Sequence, residues 1–355
     1  MKIQRIIKKN ILRQEAYPIE KIGSRIKLDA NENPYTLPPP LKEKMFKYLE
    51  AISLNRYPDP RSSELRARLA DYLRVHDDML LIGNGSDELI QMLLVAFNSL
   101  PSGAVIIPVP TFAMYKIIAL NTGHKIIEIP LNDQFHLNEE LMLDTISQNN
   151  PSLVFFSYPN NPTGNLFNRE TIEKILEQSN CLVVIDEAYF NFSGETFLPN
   201  LDKWENLIIL RTLSKVGLAA MRLGILIAQP SIIHELNKVR LPYNINAISQ
   251  AAGLFFLENK EEFLKQTRRV ITGRDNLLRE LEGIEKIHPY PSDANFILFS
   301  CANDKNKLYN SLLEKGILIK NFTSSGILKD FMRVTVGSDG ETREFLAALR
   351  DIIRM

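Results

Sequence analysis

Asn206-Leu-Ile-Ile-Leu210-Arg-Thr-Leu-Ser-Lys215 decides how the chain is to be read. Its first half is a short apolar, β-branched run of strand length. Its second half turns at once to small and polar residues and ends on a lysine. Gly217, Ala219 and Ala220 follow, so a lysine just past the carboxyl end of the strand can point into a cleft. A lysine that must attack an aldehyde has to be neutral, and desolvation lowers its pKa toward that state. A lone loop lysine carries no assignment, so the reading depends on what surrounds it.

Similar runs recur on both sides. Ala104–Ile107, Lys125–Ile129, Leu153–Ser157, Leu182–Asp186, Asn206–Leu210 and Leu223–Ala228 read as strands, with amphipathic stretches such as Asp87–Phe97, Phe112–Leu120 and Arg169–Gln178 between them. Gly123 stands where a helix C-cap would sit. This alternation predicts an α/β fold, a mostly parallel sheet flanked by helices, with ligands bound at the carboxyl ends of the strands. After about Ile245 the texture changes. Two long helical patterns run to Glu282, then strands Asn295–Phe299, Ile317–Ile319 and Met332–Val336, then a helix from Gly340, which together suggest a smaller α+β unit. The Pro-rich stretch Asn33–Pro40 reads as an extended connector. The expected division is a large domain over residues 35–244 and a small one over 1–34 and 245–355.

The 355 residues are too many for one simple core. With 45% apolar and 24% charged residues the composition is that of an ordinary globular protein. Forty-two basic residues balance forty-two acidic ones, so no net field favours nucleic acid or an anionic membrane. No stretch approaches the ~20 apolar residues of a membrane span. The basic segment Met1–Arg13 lacks the features of a signal peptide and reads as a solvated first helix. Two distant cysteines, Cys181 and Cys301, and five scattered histidines argue against a disulfide framework or a metal site, and a cytoplasmic setting is expected.

Three further segments stand beside Lys215. Leu182-Val-Val-Ile-Asp186-Glu-Ala-Tyr189 ends a buried strand on a carboxylate, where an unpaired charge is costly. A pyridinium nitrogen would partner it; helix capping by Asp186 or Glu187 is the structural alternative. Ser157-Tyr-Pro-Asn-Asn161-Pro-Thr-Gly164 is a tight loop whose Asn161 offers an amide for a phenolate oxygen. Gly83-Asn-Gly85-Ser86-Asp-Glu precedes a helix, and backbone N–H groups there suit a phosphate, although Ser86 could equally be the N-cap. Arg222, just before a strand, is a second phosphate candidate.

In this order, together with Leu28-Asp-Ala-Asn-Glu-Asn-Pro34, Asn55-Arg-Tyr-Pro58, Pro110-Thr-Phe112 and Arg333-Val-Thr-Val-Gly337, these segments resemble fold-type I aminotransferases dependent on pyridoxal 5'-phosphate, and within them the histidinol-phosphate aminotransferase family. The resemblance implies that Lys215 carries the cofactor as a Schiff base and shuttles a proton, and that Asp186 pairs with its ring nitrogen. It places Asn161 and Tyr189 on the ring hydroxyl, Phe112 on the ring face, and Gly85, Ser86, Ser214 and Arg222 on the phosphate. Tyr57 would reach the phosphate of a neighbouring subunit, implying a homodimer with shared active sites. Arg333 would bind the substrate's anionic group, with Tyr17 and Lys320 near the substrate phosphate. The implied reaction converts L-histidinol phosphate and 2-oxoglutarate to imidazole-acetol phosphate and glutamate. Three positions depart from the family pattern. Lys215-Val-Gly-Leu-Ala-Ala-Met-Arg222 is one residue short, Phe112 replaces a frequent Tyr, and Lys320 stands where a second arginine is expected and lacks its bidentate fork. An aminotransferase for aromatic or other α-amino acids, a threonine-phosphate decarboxylase and a non-catalytic protein of this fold are the competing readings.

Overall fold

The computed structural model describes residues 3–12, 14, 23–97, 103–302, 304–322 and 326–354. Its strands are β1 (Ile26–Leu28), β2 (Leu80–Asn84), β3 (Ala104–Val109), β4 (Lys125–Pro130), β5 (Leu153–Ser157) and β6 (Leu182–Asp186), followed by β7 (Leu207–Thr212), β8 (Leu223–Ile227), β9 (Ile287–Pro289), β10 (Phe296–Cys301), β11 (Ile317–Asn321) and β12 (Phe331–Thr335). They form a seven-stranded sheet in the order β2-β8-β7-β6-β5-β3-β4 and a five-stranded sheet in the order β1-β11-β12-β10-β9.

In the large sheet only β8 runs against the others. A parallel strand needs a crossover helix, and helices placed on both faces bury both sets of side chains. The strands show this directly. Ile106, Val154, Phe156, Val183, Ile185 and Ile209 face one core, while Val105, Ile107, Phe155, Val184, Ile208 and Leu210 face another. Leu153-Val-Phe-Phe therefore reads as an unbroken apolar run and not as an alternation. The six strands expected in this region are present within two residues at each end. β2 escaped the sequence reading because its apolar stretch is short and ends in Gly83 and Asn84.

The helix Arg169–Gln178 has the expected bounds, and Asn168 caps it by accepting from Thr171 N. Gly123 ends the helix Ala113–Thr122 in a left-handed C-cap, as expected. The connector Asn33–Pro40 is corrected at its end: Pro39 and Pro40 open the helix Pro39–Glu50, where a missing N–H costs nothing.

The small sheet packs its own core of Phe296, Phe299, Met332, Val334 and Phe345. The helix Asp339–Arg354 lies in that unit, whereas the helix Ala247–Glu258 packs Phe255 and Phe256 into one of the large sheet's cores. Strand β1 pairs with β11, so the chain stands beside the small sheet at residues 26–28 and crosses to the large one over residues 29–38; ahead of β1 the turn Lys9–Leu12 lies on the large-sheet helix Ala113–Thr122, where Asn10 donates to the Leu120 carbonyl. That crossing segment forms one side of the site.

Candidate active site

The carboxyl ends of β2, β3, β5, β6 and β7 lie along one edge of the large sheet, as parallel pairing requires. The residues that follow them converge there. Asp186 is the last residue of β6 and is buried. Tyr115 Oη donates to Asp186 Oδ2 at 2.7 Å, and Ala188 N donates to Oδ1 at 3.1 Å. Burial, outweighing these hydrogen bonds, pushes its carboxyl up to about 6. No ion pair among the described residues balances it. Asp186 thus caps its own turn and also holds a carboxylate short of a cation, so the two readings of its role are compatible.

Tyr115 was not singled out in the sequence. It stacks on Phe155 with ring centroids 5.0 Å apart and meets Phe112 edge-on at 5.4 Å. Burial first, and then the Asp186 charge, raise its phenol well above its ordinary value, so it remains a donor to the carboxylate. The available signal was spacing: Tyr115 follows Phe112 by three residues, one helical turn.

Lys215 lies in a wide helical turn, Ser214–Leu218, after β7. Its ammonium lies 3.5 Å from the Ala30 carbonyl and 5.8 Å from the centre of the Tyr189 ring. Desolvation, and then the Arg333 charge, lower its pKa to about 8. About a tenth of the amine is therefore neutral at pH 7, and a nucleophilic amine needs that form.

The shortened loop still delivers Arg222. After the turn at Ala219–Met221, Arg222 adopts a left-handed backbone, φ 51°, and brings its guanidinium to 3.5 Å from Ser214 Oγ and 3.2 Å from Asp87 Oδ2. Gly85, at φ 81°, precedes the helix Ser86–Ala96 and is its N-cap, so Ser86 is the first helical residue and not the cap. A Cβ on Gly85 would stand 2.4 Å from Arg222 Nη2, and one on Gly224 would stand 2.4 Å from the Gly85 carbonyl carbon. Gly85 is required by its left-handed backbone and Gly224 by the close approach of the Gly85–Ser86 backbone. A guanidinium, a hydroxyl and a helix N-terminus meet here, groups that could hold a phosphate.

The opposite wall comes from the small sheet. Arg333 of β12 is buried; it hydrogen-bonds Asn161 Oδ1 and, at 2.7 Å, the Asp29 carbonyl. Lys320 of β11 is the direct cross-strand partner of Arg333. Opposed residues of an antiparallel pair share a sheet face, and two like charges so placed disfavour each other unless an anion joins them. Asn31, buried and left-handed at φ 55°, donates from Nδ2 to Tyr189 Oη at 2.9 Å; its own N donates to Thr335 Oγ1, and Asn295 Nδ2 donates to its carbonyl. Asn31 and Ala30 were missed as site residues because their partners lie far along the chain. Asn160, fully buried, joins the loop after β5 to Pro110 and Thr111.

Two expected residues remain. Tyr57, expected to reach a neighbouring subunit, is 81% exposed and stacks on Tyr243, centroids 4.6 Å apart. Tyr17 lies outside the described residues. Glu187, next to Asp186, is occupied by a buried ion pair with Arg211 at 2.8 Å and by Phe197 N. No cluster able to hold a metal occurs among the described residues, and none of the described helices is long and apolar enough to cross a membrane.

A buried carboxylate, an amine of lowered pKa and a helix N-terminus beside a guanidinium are groups that could take up the ring nitrogen, aldehyde and phosphate of pyridoxal phosphate. A solved histidinol-phosphate aminotransferase from Sinorhizobium meliloti in complex with pyridoxal-5'-phosphate shares this fold at TM-score 0.87 and 22% identity, with 98% of this chain and 97% of that one covered. The model of the family "Aminotransferase class I and II" matches residues 24–349. Histidinol-phosphate aminotransferase 2 of Nitrosococcus oceani is 46% identical, covering 97% of this chain and 96% of its own. The Aquifex aeolicus histidinol-phosphate aminotransferase is 40% identical, with 98% of each chain covered. The chain belongs to the class I and II aminotransferases, in the histidinol-phosphate aminotransferase family.

Proposed function

We propose that this chain is a pyridoxal-phosphate-dependent aminotransferase that takes the amino group of L-histidinol phosphate to 2-oxoglutarate, giving imidazole-acetol phosphate and glutamate, a step of histidine biosynthesis. The observation that carries it is the meeting of Lys215, Asp186 and the Gly85–Arg222 cradle on one wall with Arg333 on the other. Bound there, pyridoxal phosphate supplies an aldehyde carbon and an electron-accepting ring. Asp186 would keep the ring nitrogen protonated, and Tyr115 would keep Asp186 in place. Gly85, Ser86, Ser214 and Arg222 would hold the phosphate, Phe112 the ring face. Asn161 Nδ2 and Tyr189 Oη would serve the ring hydroxyl. Lys215 Nζ would anchor the aldehyde carbon and then, once freed, take and return the substrate's Cα proton.

Arg333 would bind the carboxylate of glutamate or 2-oxoglutarate and the phosphate of histidinol phosphate in turn, with Lys320 and Tyr17 beside that phosphate. The cross-strand placement of Lys320 against Arg333 supports this reading. A homodimer with shared sites is part of the same proposal, supported by the exposed Tyr57–Tyr243 stack and by exposed Leu54 and Leu241 close to it in sequence. A cytoplasmic location accords with a chain that carries only two cysteines, Cys181 and Cys301, both buried. The division into residues 35–244 and 1–34 with 245–355 is proposed on the two separate sheets; the helix Ala247–Glu258 packs across that boundary.

Steady-state comparison of histidinol phosphate with phenylalanine tests the substrate. A larger kcat/KM for histidinol phosphate is expected; the reverse order would assign an aromatic aminotransferase, and carbon dioxide release would assign a decarboxylase. Borohydride reduction of the loaded protein should fix the cofactor on Lys215, as read by peptide mass.

A further inference from the structure

Behind the large-sheet wall of the cleft lies an ion pair that the proposed chemistry does not use. Glu187 follows Asp186 at the end of β6, and its N donates to the Leu210 carbonyl of β7 at 2.8 Å. Its side chain is fully enclosed, and the facing Arg211 side chain is 10% exposed. Arg211 Nε and Nη2 donate to Glu187 Oε2 at 3.0 and 2.8 Å. Arg211 Nη2 also donates to Thr196 Oγ1 at 2.8 Å, and Thr196 Oγ1 in turn donates to Glu187. Phe197 N donates to Glu187 Oε1 at 2.7 Å, and the guanidinium lies 3.8 Å over the centre of the Phe190 ring. Among the described residues no other ion pair has both side chains buried.

Stability is a poor account of this pair. Burial raises the Glu187 carboxyl even against Arg211, which acts to lower it. Enclosed charges of this kind give little net stability, because desolvation offsets their attraction. Their place in the chain says more. Glu187 stands between Asp186 and Tyr189, and Arg211 stands three residues before Ser214 and four before Lys215. The helical turn Phe190–Ser193, which follows Tyr189, brings Phe190 under the guanidinium. One ion pair thus clamps the strand end that carries Asp186 and Tyr189 to the strand end that leads to Ser214 and Lys215. These side chains would meet one rigid ring at separate points, and a shift of about 1 Å in such a set can cost about 10²-fold in rate.

Resting on the aminotransferase reading above, we propose that Glu187 and Arg211 are positioning residues that fix the spacing of Asp186, Tyr189 and Lys215. Being enclosed, they act only through these neighbours. The test is the double variant Glu187→Gln/Arg211→Met. It removes both charges together and keeps an acceptor for Phe197 N, so neither a buried charge nor a buried amide is orphaned. In the cofactor-loaded protein kcat should fall about 10²-fold, while KM for glutamate stays within about threefold because Arg333 on the other wall takes the carboxylate. In the cofactor-free protein Tm should change by less than about 5 °C. The amides of Phe192, Ser193 and Leu218, which close the two turns, should exchange at least about tenfold faster. A wild-type kcat or unchanged exchange in the double variant makes the pair structural only and overturns the proposal. If the double variant does not fold, Arg211→Lys decides. A kcat loss of about threefold or more at unchanged KM upholds the proposal, and a wild-type kcat overturns it. Borohydride reduction of the wild type checks the underlying reading by itself: a cofactor fixed on Lys215 there, with an unaffected variant, refutes the positioning role alone.

Discussion

The two walls of the cleft are built in opposite ways. On the large-sheet wall, Asp186, Lys215 and Ser86 each stand within a few residues of a strand's carboxyl end, and the topology brings them together with no further instruction. On the small-sheet wall, Arg333 lies inside a strand and is tied to Asp29 and Asn161, 304 and 172 positions away. Asn31 joins Tyr189, Asn295 and Thr335 from equally far. The first wall is local chemistry displayed by a regular scaffold. The second is a set of distant pieces knitted by buried hydrogen bonds. Cofactor chemistry is expected on the first, substrate recognition and closure on the second.

The comparison can be broken by variants on each side. Lys215→Ala should reduce kcat by ~10³-fold or more, since it removes both the anchoring amine and a proton carrier. A single-turnover assay with glutamate that runs at near wild-type rate would dismiss Lys215 as the reacting group. Arg333→Ala should cost about 2–5 kcal/mol in kcat/KM, roughly 30- to 5,000-fold, by leaving a buried binding partner unpaired. Arg333→Lys should recover only part, because one charge without the fork satisfies either Asn161 or Asp29 but not both. Equal losses for anionic and neutral amino donors would show that Arg333 is structural only.

Asp186 sharpens the contrast through pH. Its folded-state pKa, about 6, lies above the ordinary 3.8, so the cofactor-free folded chain holds this proton more tightly than the unfolded chain does. Stability from this group is full below about pH 4 and is lost as pH rises through about 6. Asp186→Asn should therefore make the cofactor-free protein more stable at pH 7–8 by on the order of 2–3 kcal/mol, with little change at pH 4. Denaturant melts at the two pH values check this; a wild-type protein that is no less stable at pH 8 relative to the variant contradicts it. The same substitution should weaken cofactor retention, because the carboxylate that the ring nitrogen needs is gone.

The smallest effect is expected at Asn31. Asn31→Ala removes the donor to Tyr189 and the side-chain acceptor of the Thr335 hydroxyl, at about 1–3 kcal/mol. Thermal unfolding should register the loss, and the activity pH profile should shift with it, because the Tyr189 hydroxyl loses its fixed orientation. A variant that only lowers Tm confines Asn31 to the fold.

Much of this was legible beforehand. Continuous apolar runs between amphipathic stretches specify a buried parallel sheet, because strands covered on both faces have no polar side to show. Residues just past those runs fall at one edge by topology alone, so Lys215, Asp186, Asn161 and Ser86 could be named from the chain. Tertiary structure was needed wherever the physical cause lies in a distant segment. The raised carboxyl of Asp186 depends on burial by elements that do not adjoin it, and the lowered amine of Lys215 on burial first and then on Arg333. The grip of Asn31 on Tyr189 is also long-range. Sequence periodicity reports which side of an element is apolar; it carries no information about which two apolar-backed surfaces meet, and desolvation and charge coupling exist only where they do.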